Sequence, residues 1–148
     1  MIKNKTQLTN NVPRIGIGVL VMFQNKILLL KRKSSHGTDM WCLGGGHLEF
    51  GETIIECAKR EVMEESGLII KNAKIICINE DLYFIQSDNK HYITIGCLAH
   101  AKSKKFQNKE PDKHSELNWF DLNDLPQPLF PPSKNIVECY KKGTICIK

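Results

Sequence analysis

Glu61, Glu64 and Glu65 follow closely on the run Gly44-Gly45-Gly46, in a stretch that reads GHLEFGETIIECAKREVMEESGL from Gly46 to Leu68. On a helix advancing about 100° per residue, the three acids share an arc of about 100°. Ile55, Ala58 and Val62 form the apolar stripe beside them, so the acids border the buried face rather than open water. Carboxylates held this close repel one another and raise each other's pKa unless a cation neutralises them. A hard divalent ion meets that need, because oxygen ligands suit magnesium and manganese. The glycines let backbone approach a ligand and leave carbonyls free to coordinate the same ion. These parts suit metal-assisted attack of water on a phosphoanhydride, with a carboxylate orienting or deprotonating the water. No serine or cysteine constellation points to a covalent intermediate.

Around this core stand residues with supporting chemistry. Arg60 lies one turn after Glu56 and is placed to pair with Glu52 or Glu56, holding helix and loop in one orientation. Arg32 and Lys33 end a strand and suit phosphate oxygens, or else they close a hairpin as surface charge. His47 follows the glycines and is either a phosphate donor or a plain loop histidine. Trp41, Tyr92 and Phe130 are large enough to stack on a base, although such residues more often fill cores.

The elements that must position these groups follow from patterning. Arg14–Phe23 alternates Ile15, Ile17, Val19 and Val21 with small residues and reads as a strand. Gln24-Asn25 turns the chain into a second apolar strand over Lys26–Lys31. Gly16 and Gly18 admit two readings, close packing against a helix or backbone access for a ligand. Trp41–Leu43 is a short strand, the glycines form a loop, and a helix runs from about Thr53 to Ser66 with Gly67 as its stop. Ile75–Asn79, Tyr92–Ala99 and Leu117–Phe120 read as strands, with a polar turn at Asp88-Asn89. Leu122–Leu125 reads as a helical turn and Asn135–Lys141 as a closing helix. Strands on both sides of a central helix, with a second helix at the end, indicate an α/β sandwich. Residues 1–12 read as a flexible polar segment and 13–148 as one domain.

Bulk composition excludes several classes. The 148 residues suit one domain, and 41% hydrophobic with 25% charged is ordinary globular usage rather than disorder. The formal charge of +5 is modest, and the run Lys102, Lys104, Lys105, Lys109, Lys113 lacks interleaved aromatics apart from Phe106. It reads as a solvated loop that draws in anionic substrates, not a stable nucleic-acid patch. The cysteines Cys42, Cys57, Cys77, Cys97, Cys139 and Cys146 are scattered without a CxxC pair. They read as small buried hydrophobes in a reducing, cytoplasmic setting. No apolar run is long enough to span a membrane.

The segment 46–68 fits the spacing G-x5-E-x7-R-E-U-x-E-E-x-G-U, a match whose chance occurrence is on the order of 10⁻⁸. It resembles a complete Nudix box, the motif of hydrolases that cleave a nucleoside diphosphate linked to another group. That resemblance implies an α/β/α sandwich with a mixed sheet and a loop-helix-loop motif whose glutamates bind magnesium or manganese. It further implies Glu61 and Glu65 as metal ligands and joint candidates for the base, Glu64 sharing the cluster, and Gly45 or Gly46 contributing a carbonyl. A further carboxylate from a later loop is expected, with Glu116, just before Trp119, the first candidate and Glu110 the reserve. LLLKRK at 28–33, HYITI at 91–95 and EPDK at 110–113 extend the likeness to the MutT-related nucleoside triphosphate diphosphatases. Within these, the chain most resembles the group that includes human nucleotide diphosphatase fifteen. The resemblance implies hydrolysis of canonical or damaged (d)NTPs to the monophosphate and pyrophosphate, and a homodimer. Gly44 departs from the proline common before the two glycines. Tyr83, spaced as in some dinucleoside polyphosphate hydrolases, keeps that alternative and other nucleoside-diphosphate-X substrates open. A silent nucleotide-binding regulator is the third reading, opposed by the complete set of acids.

Overall fold

The computed structural model describes residues 12–145, so the expected flexible segment and Cys146 fall outside the described residues, apart from Val12. Seven strands and three helices follow one another as β1 (Arg14–Phe23), β2 (Lys26–Arg32), β3 (Trp41–Cys42), β4 (Gly44–His47), α1 (Ile54–Ser66), β5 (Ile70–Asp81), α2 (Ile85–Asp88), β6 (Tyr92–Ala101), β7 (His114–Asp121) and α3 (Pro131–Lys142). All strands belong to one mixed sheet. The spine runs β3-β2-β1-β6-β5, with β4 also on β1 and β7 also on β2. Strand β1 runs parallel to β6 and antiparallel to β2 and β4.

The hairpin expected at Gln24-Asn25 forms, pairing Met22 with Ile27 and Phe23 with Lys26. Strand β1 is buried on both faces, and its side chains divide by parity. Ile17, Val19 and Val21 join Cys57, Ala58 and Val62 of α1 in one core. Leu20 and Met22 join Ile136, Val137 and Cys139 of α3 in the other. Helices therefore cover opposite faces of the sheet, which is the α/β/α sandwich read from the sequence. Burial of each large aliphatic in these cores contributes roughly 1.5–3 kcal/mol. The described cysteines are buried thiols within the cores. No described helix is long and apolar enough to cross a membrane.

Helix α1 begins and ends where expected. Thr53 accepts from the N–H of Glu56 at 3.2 Å, and Glu56 accepts from the N–H of Thr53 at 2.8 Å, a reciprocal cap. Gly67 closes the helix at φ 69°, its N–H donating to the Met63 carbonyl.

The structure departs from expectation in several places. The three glycines are not a loop: Gly44–His47 pairs with Gly16–Val19 as β4. This edge of β1 is vacant beyond the hairpin, and flat glycine backbone can occupy it with no side chain to accommodate. Strand β5 starts earlier than Ile75, because Ile70 and Lys71 already pair with Ala101 and His100, with irregular register before Lys74 and between Ile75 and Cys77. Helix α3 starts at Pro131, proline being suited to a first turn that needs no N–H. Leu122–Leu125 is a turn rather than helix, and a short helix, α2, occupies Ile85–Asp88.

Candidate active site and metal centre

Helix α1 lies against β4, and the lack of side chains on β4 is what lets carboxylates approach. A Cβ on Gly44 would sit 2.6 Å from Glu65 Oε2, and one on Gly46 would strike the Glu61 carboxylate. Gly45 has φ 147°, and a Cβ there would collide with the Ile17 carbonyl. The glycines thus fix the height of α1 above the sheet and place two of its acids over bare backbone.

Glu65 is 5% exposed, and its Oε2 accepts from the Gly45 N–H at 3.0 Å. Burial drives its pKa well above the ordinary carboxylate value, against the pull of that N–H, and Glu61 and Glu110 raise it further. A buried acid beside other acids is a group in want of a cation.

Glu110 and His114 supply the remaining donors. Their ligand atoms and one of Glu65 lie within 4.8 Å of one another. The loop between β6 and β7 is carried there by backbone bonds to the end of α1. Gln107 N–H donates to the Ser66 carbonyl at 2.9 Å and Lys109 N–H to the Glu65 carbonyl at 3.0 Å. Trp119 Nε1 holds the same loop through the Lys104 carbonyl at 2.8 Å. His114 is buried, its Nδ1 has no hydrogen-bond partner, and burial pushes its pKa down to about 4. It is therefore a neutral imidazole, the form that binds metals. Two carboxylates, one of them buried, and an orphan imidazole nitrogen fit a divalent ion.

Arg60 takes the bracing position expected of it, with Glu52 as its partner; Glu56 is committed to the helix cap. Its Nε and Nη2 donate to Glu52 at 2.7 and 3.0 Å, a two-pronged contact. Nη1 reaches Glu61 at 2.7 Å and Glu64 at 3.2 Å, and Nη2 reaches the His47 carbonyl at 3.1 Å. The guanidinium holds the Glu52 carboxyl down at about 2, so the pair stays charged. One side chain thereby joins loop, strand and helix.

The expected site residues divide clearly. Glu61, Glu65, Arg32, Lys33, Gly45, Gly46 and His47 all line one cavity of about 540 Å³, together with Lys113 and His114. Glu64 is not among the lining residues; its side chain is 50% exposed and turned to Arg60. Glu116 is exposed on β7 opposite Lys31 and joins neither the cavity nor the cluster. The reserve, Glu110, stands where Glu116 was expected. Gly45 presents its N–H to Glu65. Arg32 donates to the His36 carbonyl at 2.9 Å and to Ser34 at 3.0 Å, with its guanidinium 4.2 Å from the Phe130 ring centre. Lys33 donates to the Pro111 carbonyl at 3.1 Å, and His47 bonds Tyr92 at 3.0 Å. Of the aromatics, Tyr92 and Phe130 line the cavity, whereas Trp41 is core, edge-on to Phe120 at 4.8 Å.

Sequence reasoning missed His114, and it also missed Asp81, Phe84, Thr94 and His36 in the cavity wall. His114 directly follows the EPDK stretch, the one local signal available.

A family model described as the NUDIX domain matches residues 12–139. The chain belongs to the NUDIX family. An ADP-ribose pyrophosphatase of Methanocaldococcus jannaschii is 32% identical over 124 residues, 84% of this chain and 71% of that protein. An 8-oxo-dGDP phosphatase of Homo sapiens is 30% identical over 83% of this chain but only 36% of its own length. Among solved structures, a MutT NUDIX hydrolase from Burkholderia pseudomallei superposes with TM-score 0.79 at 34% identity, covering 86% of this chain and 97% of its own. This chain is accordingly a Nudix-type phosphohydrolase with a candidate metal-binding cluster, two members of which line its cavity.

Proposed function

We propose that this NUDIX hydrolase converts nucleoside triphosphates, canonical or damaged, to the monophosphate and pyrophosphate. The observation that carries the reading is the Glu65–Glu110–His114 cluster, of which Glu65 and His114 are buried and line a cavity that also holds Arg32, Lys33 and Lys113. Glu65, Glu110 and His114 would hold a magnesium or manganese ion, which would supply charge neutralisation for phosphate oxygens. The lining cations take the remaining phosphate charge. Glu61, fixed on one oxygen by Arg60, receives the proton of the attacking water. The new P–O bond forms as the anhydride P–O bond breaks, and pyrophosphate leaves with the electron pair. Arg60 positions Glu61 and Glu52, while Glu64 tunes that ion pair from the surface. His47 and the side-chain-free backbone of Gly46 line the part of the cavity that takes the phosphates.

Such a protein acts as a cytoplasmic enzyme without stable nucleic-acid binding, and as a homodimer like the diphosphatases of the group its motifs resemble. Incubation with magnesium and a panel of NTPs, dNTPs, 8-oxo-dGTP, ADP-ribose and dinucleoside polyphosphates tests the reading. Pyrophosphate release from triphosphates is the expected result; cleavage confined to ADP-ribose would overturn it. The second reading, an ADP-ribose or other nucleoside-diphosphate-X hydrolase, is favoured by the similarity to the Methanocaldococcus jannaschii enzyme. The dinucleoside polyphosphate reading loses its support, because Tyr83 is 55% exposed and is not among the cavity residues.

A further inference from the structure

Asp81 ends β5 and lines the cavity at 2% exposure. Neither of its carboxylate oxygens has a hydrogen-bond partner among the described residues. The Thr94 hydroxyl is close enough to favour its charged form without bonding it in good geometry, and burial, the larger effect, opposes that charge. An uncompensated buried carboxylate costs several kcal/mol and is retained only where something completes it. Asn79, two positions back on the same strand face, is also buried with an orphan acceptor, its Oδ1. Of the two, Asp81 alone lines the cavity, and the partner its oxygens lack there is a donor.

Register places Asp81 at a distance from the metal cluster. One row of paired residues runs Asn79, Thr94, Gly16, His47 across β5, β6, β1 and β4, and Asp81 lies two residues further along β5, opposite Tyr92. Three strand spacings separate β5 from β4, roughly 14 Å. Gly16 leaves the middle of this row without a side chain, so a ligand can lie along it. Phe84 and Phe130, stacked at 5.5 Å with an interplanar angle of 14°, also line the cavity, and His36 stands edge-on to both. Aromatic faces beside a carboxylate suit a flat heterocycle whose edge presents N–H groups.

We infer that Asp81 reads the base: its two oxygens accept two adjacent N–H donors, as presented by N1 and the 2-amino group of guanine and its 8-oxo form, while Phe84 flanks the ring. The inference names the substrate class within the proposed hydrolysis and rests on that reading for the placing of the phosphates. Adenine offers an acceptor at N1 and no 2-amino group, and hypoxanthine offers N1–H alone. Hydrogen bonds to a charged acceptor are among the stronger ones, so loss of one such bond lowers affinity about 10-fold or more.

Calorimetry with GMP, IMP and AMP in the presence of chelator tests this without any hydrolysis. Wild-type protein is expected to bind GMP about 10-fold more tightly than IMP and more tightly still than AMP. Asp81→Asn, which exchanges one acceptor for a donor, is expected to erase the GMP-over-IMP preference while leaving metal affinity unchanged and the melting temperature no lower than that of wild type. Equal binding of the three monophosphates by wild type overturns the inference, as does a preference that survives in a folded Asp81→Asn. If triphosphates are hydrolysed without base preference, the inference fails and the proposed function stands. If GMP is preferred but no triphosphate is cleaved, the proposed function fails and the base site stands.

Discussion

Glu65 and Asp81 are both acids buried in the wall of one cavity, at 5% and 2% exposure, and burial raises the pKa of each. Their surroundings differ. Glu65 stands among further donors of electron pairs, Glu110 and His114, so a cation answers the whole group at once. Asp81 stands near aromatic rings and a hydroxyl, with no second acid recorded against it, so neutral N–H donors suffice. The same buried carboxylate thus serves ion or base according to what else faces the gap. Damage at the first wall should lower turnover for every nucleotide alike. Damage at the second should reorder nucleotides and leave the ion in place.

The largest effect should come from Glu61→Gln and Glu65→Gln. Each is expected to lower kcat about 10²–10⁴-fold on all substrates, with circular dichroism unchanged. A loss confined to one base would erase the distinction between the walls. His114→Ala should weaken manganese binding about 10- to 100-fold, read by calorimetry, while the GMP-to-IMP ratio holds. Phe84→Ala should do the reverse. It removes a stacking face, raises KM for the preferred nucleotide roughly 5- to 100-fold, and leaves metal affinity alone.

The first wall was legible in the sequence and the second was not, for physical reasons. Glu61 and Glu65 sit on one helix whose caps, Thr53 and Gly67, are local signals, so spacing alone put them together. Glu110 was ranked behind Glu116 because distance along the chain to Trp119 says nothing about the backbone bonds from Gln107 and Lys109 to the end of α1. Asp81 resembles any charged strand terminus until β6 and β1 are laid beside it. The glycines of β4 carry no side-chain alternation, so their strand exists only because β1 has an edge to offer. The sandwich itself was readable, since the parity of β1 and the late helix required apolar cover on both faces.

A smaller effect concerns the Arg60 brace beside the first wall. The Glu52 carboxyl, held at about 2 by Arg60, contributes stability that is fully present above its unfolded value near 4.5. That contribution is lost as pH falls from there through about 2. Melting curves of wild type and Glu52→Gln should therefore differ at neutral pH and converge in acid. A gap that widened on acidification would reverse the sign.

The central claim is that the Glu65–Glu110–His114 cluster holds a divalent ion, and electron paramagnetic resonance of manganese titrated into wild type and Glu65→Gln tests it most directly. The account predicts a saturable site in wild type, displaced by magnesium and lost in the variant. Free-manganese spectra throughout, or identical binding by the two proteins, would contradict it.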